Sequence, residues 1–373
     1  MPSLGDVVRL AESILESLEP YIRRNICWDE ASPYYGGLIE TVPHTPRPTW
    51  PHASYRVASA YLRLYEAYGD ESYWRVARVV VDYLVREQTE AGCWFGYAGF
   101  PKSAGWTERS APPGSKLNVR MEDGTVLDII RFPFSVFGAA LYGKVIADAM
   151  LLAEELDPKR ARRWRDSFLM AAEFVRCMID DNGYWVTDRA WNQRAAVAVI
   201  LATASKLLGP ERYLRKARII LDQVLSAQLE SGEYPYSEHG GRTYHYHALT
   251  LYYLNQFNEV MPDERVRDSV MRGLKWMWGM QTPSGDFDWS IHDPRDHKTK
   301  LTSTFGVALQ ATAPYVRAYL SHVHRALAFL KGLQSTDGGF PLKIGLSGSN
   351  TTHSGDVLLG LAELLRHARA STS

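Results

Sequence analysis

The chain has 373 residues, 46% of them hydrophobic, and its 42 basic and 42 acidic side chains give a formal net charge of zero. A neutral balance argues against nucleic acid or an anionic membrane as the main partner. No stretch reaches the roughly 18 consecutive apolar residues of a spanning helix, and no basic segment followed by an apolar one marks a secretory signal. We therefore expect a cytoplasmic protein with a large core.

Cysteine and lysine usage bears on compartment and source. Cys27, Cys93 and Cys177 form no ligand-spaced cluster, so reduced thiols in the cytoplasm are expected. Only 11 of the 42 basic residues are lysine, and the resulting arginine- and glutamate-rich helix faces are compatible with a thermophilic source.

The hydrophobic pattern predicts twelve helices. The fourth, sixth and eighth are apolar on nearly every side, whereas the fifth, seventh and ninth carry a charged face, and a helix apolar all round is buried all round. This alternation predicts an all-α (α/α)6 toroid that fills residues 1–373 as a single domain, with the even-numbered helices inside. The predicted ranges are about 3–22, 51–68, 72–88, 134–156, 158–179, 190–208, 211–228, 243–260, 263–281, 301–312, 316–334 and 352–369.

A short motif recurs between hairpins: a glutamine, a glycine four residues later, and an aromatic residue two further on. The last three glutamines are spaced 53 residues apart, and such a period indicates repeated supersecondary units. We interpret the motif as structural, with the glycine at a positive-φ helix end and the aromatic packed between hairpins. The copies are Gln88–Gly92–Trp94, Gln228–Gly232–Tyr234, Gln281–Gly285–Phe287 and Gln334–Gly338–Phe340, and Gly183–Trp185 is a copy without the glutamine.

One connection, about 95–133, is too long for an ordinary turn. Loops of this length are usually lids or binding segments. It contains Trp106, Arg109, Arg120 and Asp128, so we expect it to cover a polar ligand on the same face as the inner-helix starts.

In a toroid, the N-terminal turns of the inner helices meet at one end of the axis, which we call the mouth. Free backbone N–H groups and the positive dipole ends suit this end to anions and carboxylates. The sequence places polar and aromatic side chains there: His52, Ser54, Tyr55, Trp191, Asn192, Gln193, Arg194, Tyr244, His245, Tyr246, His247, Thr352, His353 and Asp356.

The richest stretch is 234–254, with Glu238, His239, Arg242 and the run Tyr244-His245-Tyr246-His247. Tyrosine and histidine can abstract a proton next to a carboxylate, while asparagine and arginine neutralise the developing enolate. Any one of these side chains taken alone is more often a packing residue with a satisfied hydrogen bond. The cluster as a whole favours function.

No cofactor or metal is expected. The segment His292-Asp293-Pro294-Arg295-Asp296-His297 is better interpreted as a solvated loop, because it lacks the helical spacing of a zinc motif. Asp180 and Asp181 are adjacent in a turn, where paired carboxylates diverge.

Residues 190–290 resemble the toroids of heparinase II/III-like and alginate lyases. The resemblance rests on Asn192 near one helix start and on Arg242 followed by Tyr244-His245-Tyr246-His247-Ala248-Leu249 at the next. It implies Asn192, Arg242 and His245 as site residues. Gln193 stands where those lyases have a histidine, and His247 stands where they have the catalytic tyrosine, with Tyr246 one residue earlier. The glutamine–glycine–aromatic motif also resembles terpene cyclase and prenyltransferase-like toroids.

The resemblance implies a carbohydrate-active enzyme that cleaves a uronate-containing glycan by β-elimination. In this hypothesis Asn192 and Arg242 hold the carboxylate, and Tyr246 or His247 moves the proton, with His247 preferred as the cavity-lining residue. His52, Tyr55, Trp106, Trp191, Arg194, Tyr244 and His353 would bind the oligosaccharide. A glycoside hydrolase, a non-catalytic glycan- or partner-binding toroid, and a terpenoid cyclase-like or prenyltransferase-like protein stay open, and the oligomeric state is undetermined.

Overall fold

The computed structural model describes residues 1–42, 45–47, 51–94, 116–120, 126–130, 135–185, 190–292 and 298–370. This part of the chain holds twelve α-helices close to the predicted ranges. Ala313–Ala318 forms a 3-10 turn around Pro314, so the eleventh helix starts later than predicted. The helices are α1 Leu4–Arg24, α2 Pro51–Tyr68, α3 Glu71–Glu87, α4 Val136–Leu156, α5 Pro158–Met178, α6 Trp191–Leu208, α7 Pro210–Ser226, α8 Tyr244–Val260, α9 Glu264–Gly279, α10 Ser303–Thr312, α11 Leu320–Leu333 and α12 Thr351–Ala370.

The even-numbered helices form a closed inner ring. Each one packs against the next, and α12 returns to α2. The odd-numbered helices lie outside. Fourteen of the eighteen residues of α6 are buried but only five of the seventeen of α7, as expected for a helix surrounded by protein and one facing water. The predicted (α/α)6 toroid is confirmed, with the even helices inside.

The fourth helix shows why composition alone misleads. It is the one helix in the described ranges long and apolar enough to cross a membrane. Lys144 and Asp148 interrupt its apolar surface, and most of it is buried between neighbouring helices of the ring. We interpret it as a core helix.

Two antiparallel hairpins were not predicted. Strands β1 (Glu40–Val42) and β2 (Thr45–Arg47) pair before α2, and β3 (Lys116–Arg120) pairs with β4 (Val126–Ile130) inside the long connection. Trp106 and Arg109 lie outside the described residues. The covering role of this connection stays a prediction.

The repeated glutamine joins neighbouring hairpins by the same pair of bonds each time. The side-chain amide of Gln228 donates to the carbonyl of Gly232, 2.9 Å, and to the carbonyl of Ser269 in the next outer helix, 2.8 Å. Gln88, Gln281 and Gln334 repeat this pattern, and Gln334 reaches Ile14, so the last copy ties the end of the ring to α1. The motif is structural, as predicted, but its glycine lies in the turn beyond the helix end, because the C-cap positions are Gln88, Ala227, Met280 and Gln334.

Each glycine of the motif lies on the backbone of that next outer helix. A Cβ added to Gly232 would come within 2.5 Å of the Arg272 carbonyl, and its φ is +93°, so a larger residue would clash and be strained. Six connections share a positive-φ glycine against an outer helix, although sequence reasoning found only five. They are Gly36 on α3, Gly92 on α5, Gly183 on α7, Gly232 on α9, Gly285 on α11 and Gly338 on α1.

The Gly183 connection lacks the glutamine, and a lysine of the next outer helix makes hydrogen bonds to this connection instead. Lys216 of α7 donates to the carbonyl of Arg176, 3.1 Å, and to that of Ile179. Gly183 of the same connection rests on Ile219, three residues after Lys216, the same offset that separates Ser269 from Arg272.

Candidate functional site

The six inner helices run parallel, so their first turns meet at one end of the axis. Arg56 pairs with Asp356 across α2 and α12, each the sixth residue of its helix. Further along, Arg63 pairs with Glu363 and Asp148, which are the thirteenth residues of α12 and α4. This register shows that the first turns of α2, α4 and α12 share one face, and contacts of Ser303 with His245 and His353 bring the starts of α8 and α10 to the same face.

A buried arginine organises the α2–α12 side of the mouth. The Nε of Arg56 donates to Asp356 Oδ1, 2.5 Å, while its Nη1 donates to the His52 carbonyl and its Nη2 lies 3.1 Å from His52 Nε2. Burial raises the pKa of the Asp356 carboxyl, against the opposing effect of Arg56. Burial, together with Arg56 and Lys298, lowers the pKa of His52 well below its usual value, so this imidazole is neutral.

Ser303, the first residue of α10, lies between two histidines. Its Oγ is 2.7 Å from His353 Nδ1 on α12 and 3.4 Å from His245 Nδ1 on α8. Burial and the cations Arg56, Lys298 and Lys343 lower the pKa of His353 to about 3. We call the continuous set His52, Arg56, Asp356, His353, Ser303 and His245 the polar arc.

Tyr246 stands beside the polar arc with its ring held from several sides. It stacks on Tyr236 at 4.4 Å between centroids, and the His245 ring meets it edge-on at 5.4 Å. The Lys298 ammonium lies 5.3 Å from the Tyr246 centroid, within cation–π range. The structure thus brings His245 and Tyr246 together, and their catalytic role stays a prediction.

Asn192 and Tyr55 also face the axis. Ala196 and Val199 line the narrow axial cavity, and Asn192 precedes them by four and seven residues, which places it on the same helix face. Its side chain is 1% exposed, and its Oδ1 has no hydrogen-bond partner. Tyr55 lines the same cavity with Tyr253. An unpaired amide oxygen at a buried position is uncommon in folded proteins and marks Asn192 as a candidate site residue.

His247 does not line the cavity, contrary to the sequence prediction. Its Nδ1 accepts a hydrogen bond from the Tyr234 N–H, 3.0 Å, and its Nε2 lies 3.1 Å from the Gly273 carbonyl on α9. The ring is buried against Trp276. Burial lowers the pKa of His247 to about 4, so it is a neutral side chain that joins α8 to α9.

Internal symmetry explains this role. His247 is the fourth residue of its helix, as are Ser54 in α2 and Ser354 in α12. Those serines accept hydrogen bonds from the N–H groups of Leu38 and Phe340, each two residues after a motif glycine. In α2, α8 and α12 the fourth position therefore fixes the preceding connection, and of these three only α8 uses a histidine for it.

Tyr244 and Arg242 are also placed away from the axis. The Tyr244 hydroxyl donates to the Asp288 carbonyl, 2.6 Å, and its ring stacks on Phe287 at 4.9 Å. Arg242 is half-exposed, and its Nε lies 3.3 Å from Oε2 of the buried Glu233. Neither residue is positioned on the axis face where the sequence analysis expected them.

Trp191 and Arg194 lie between α6 and α7. Arg194 donates to Gln223 Oε1, 2.6 Å, and its guanidinium lies within 5.4 Å of the ring centroids of Tyr184, Trp185 and Trp191. Burial lowers the pKa of Arg194. Its contacts are those of a structural cation enclosed by aromatic rings.

Sequence reasoning named Asp356 but missed Arg56, Ser303 and Lys298. A detectable signal was present: His52 and Arg56 recur four residues apart in a helix that is otherwise mostly apolar, which aligns them on one face. Ser303 could not be recognised, because its importance comes from the ring order that places α10 between α8 and α12.

Metal binding has no support in the described ranges, where no group of three metal-ligating side chains occurs. His292 packs beside Tyr244 and Trp289. The remainder of the segment, 293–297, lies outside the described residues.

No protein-family model and no curated protein matches the chain. Solved structures do match along nearly its whole length. An α-1,6-mannanase, GH76A of Salegentibacter sp. HEL1_6, aligns with a TM-score of 0.63 and 11% identity over 98% of this chain and all of that one. A polysaccharide lyase gives 0.60 and 16% over 98% of each chain. A glycosyl hydrolase family 88 protein from Bacteroides vulgatus gives 0.58 and 14% over 96% and 99%. At these identities the likeness shows the toroid fold.

Proposed function

We propose that the protein is a carbohydrate-active enzyme that cleaves a uronate-containing glycan by β-elimination at the mouth. The similar solved structures whose names are polysaccharide lyase, mannanase and glycosyl hydrolase support a carbohydrate substrate. The observation that favours elimination over hydrolysis is the charge pattern of the mouth.

That pattern is a shortage of carboxylates. Within the first ten residues of each of the six inner helices, all of them described, Asp356 is the sole acidic side chain, and it is bound to Arg56. Glycoside hydrolysis ordinarily requires two carboxyl groups flanking the scissile bond. The same turns hold His52, His245 and His353 near Arg56 and Lys298, a set suited to an anionic substrate and proton abstraction.

In β-elimination a base removes the proton on C5, next to the uronate carboxylate, the C4–O4 bond breaks, and O4 leaves with a proton. Hydrogen-bond donors and cations at the carboxylate stabilise the enolate-like transition state. In this proposal Asn192 and Lys298 take that role in place of the predicted Arg242. Tyr246 or His245 is the proton-transferring group, because His247 is committed to the α8–α9 contact.

The test is a panel of polyuronates and neutral glycans with two readouts on each reaction: new reducing ends and ultraviolet absorbance of the C4–C5 double bond. The proposal predicts that both rise together with a polyuronate. Reducing ends without absorbance would identify a hydrolase. Binding without either signal would identify a non-catalytic glycan-binding toroid.

A further inference from the structure

Ser303 contacts both His245 and His353, which come from the two inner helices on either side of α10. Ring order places α10 between α8 and α12, and Ser303 is its first residue. The side chain is fully buried, with its Oγ at 2.7 Å from His353 Nδ1 and 3.4 Å from His245 Nδ1. A hydroxyl can donate one hydrogen bond while accepting another, so it can connect the two rings in either direction.

We propose that Ser303 relays protons between His245 and His353, so that the two imidazoles act as one acid–base pair. This inference rests on the proposed elimination reaction. Elimination moves one proton from C5 to the leaving O4 in every turnover. One imidazole takes up that proton at Nε2 and passes its Nδ1 proton to Ser303 Oγ, whose own proton goes to Nδ1 of the other ring. The second ring then gives its Nε2 proton to O4, and no proton is gained or lost.

The surroundings favour a neutral His353. Arg56 and His52 approach from α2, Asp356 from α12 and Tyr246 from α8, while Lys298 and Lys343 lie in the connecting segments. The cations disfavour a permanently protonated His353, while Asp356 is bound to Arg56 and the Glu40 carboxylate accepts a hydrogen bond from Thr352 Oγ1, 3.1 Å. A proton that enters the pair therefore moves on through Ser303. Ser303 is thus a positioning and relay residue, which touches the two rings rather than the glycan.

The experiment compares Ser303→Ala with Ser303→Thr, which keeps the hydroxyl, on the polyuronate that the wild type cleaves. We expect Ser303→Ala to lower kcat by about 100-fold, the usual size of an acid–base contribution, to change the pH profile of kcat, and to leave KM and the melting temperature nearly unaltered. Ser303→Thr should recover most of kcat. The double variant Ser303→Ala with His353→Gln should be no slower than His353→Gln alone.

A kcat for Ser303→Ala within about twofold of the wild type would overturn the relay, as would a loss that Ser303→Thr fails to recover in a fully folded protein. If no glycan is turned over by the wild type, the proposed function fails, and the relay is then judged by nitrogen-15 shifts of the imidazoles. In the wild type the signals of His245 and His353 should change together with pH, and in Ser303→Ala separately. Independent titration in the wild type would contradict the relay.

Discussion

At one end of the toroid axis Arg63 is bonded to three carboxylates, those of Glu66, Asp148 and Glu363. At the other end Arg56 is bonded to one, that of Asp356, and the rest of the polar arc consists of histidine and serine. The same parallel helices supply both sets. Several buried ion pairs stabilise the Arg63 end, which we call the closed end. The mouth instead keeps histidine and hydrogen-bonding groups that a substrate can use.

The closed end has further partners that complete its charge balance. Lys144 donates to Asp148, 2.5 Å, and Arg366 binds both Glu363 and Glu259 at 2.8 and 2.9 Å. Burial alone would raise the pKa of Asp148, but Lys144 and Arg63 hold it below its usual value. Buried pairs of this kind are costly to break from one side, because the remaining charge is left without a partner.

The largest expected effect is therefore at Arg63. Arg63→Met would take one cation from each of Glu363 and Asp148, which keep Arg366 and Lys144. We expect a loss of about 3 kcal/mol or more of unfolding free energy, measured by urea titration. The matched control is Asp222→Asn, which breaks the exposed pair with Arg265 and should cost less than about 1 kcal/mol. Equal losses in the two variants would contradict the view that the buried ion pairs of the closed end contribute more to the free energy of unfolding than an exposed pair does.

Lowering the pH should reduce the free energy of unfolding, because His247 is buried as a neutral ring. Its pKa is about 4 in the folded protein and about 6.5 when unfolded. The unfolded chain therefore binds more protons between these values. Stability should fall as pH drops from about 6.5 to 4, by up to about 3 kcal/mol from this residue, and change no further from it below pH 4. His247→Gln should flatten that part of the pH–stability curve, and an unaltered slope would count against the buried neutral ring.

The motif glycines should be next in size. Gly232→Ala puts a Cβ against the Arg272 carbonyl at a positive φ, so we expect about 2 kcal/mol or more of destabilisation. Gly332, inside α11 with open space around it, is the control, where alanine should stabilise by about 0.5–1 kcal/mol. A melting temperature that falls for Gly232→Ala and rises for Gly332→Ala would confirm the contact.

The smallest effect is expected at the glutamine itself. Gln228→Ala removes two hydrogen bonds to carbonyl groups and the one that Gln228 Oε1 accepts from Arg272, 2.6 Å. Water can partly replace them, so a loss of about 1 kcal/mol should follow. Urea titration measures it, and a loss as large as that of Gly232→Ala would show that the amide, rather than the close approach at glycine, holds the hairpins together.

The fold was readable from the sequence because it depends on periodicity. The all-apolar α6 beside the charged α7 and the recurring Gln–Gly–aromatic spacing specify inner and outer layers without any knowledge of distant contacts. The site was only partly readable. His245 lies beside Ser303, whereas His247, which the sequence analysis preferred over Tyr246 for the cavity, contacts α9 instead. Adjacent helix positions differ by about 100°, and sequence alone does not fix the rotation.

Two further residues were misjudged for different reasons. Arg242 was expected at the carboxylate, but its Nε lies 3.3 Å from Oε2 of Glu233, nine residues earlier in the chain. Ser303 carries no local signal, since its two histidines come from residues 58 positions before and 50 positions after it. The role of such a residue is visible only in the folded ring, where distant segments of the chain come into contact.

The central claim is that residues on the mouth-facing side of α8 take part in catalysis, whereas those on its outward side stabilise the fold. The most direct test compares His245→Gln with His247→Gln. Both positions are buried histidines on the same helix. On a cleaved polyuronate, His245→Gln should lower kcat by about 100-fold or more with an unchanged melting temperature. His247→Gln should lower the melting temperature while the folded fraction keeps a near-normal kcat. The reverse pattern, with His247→Gln inactive but stable, would contradict the account.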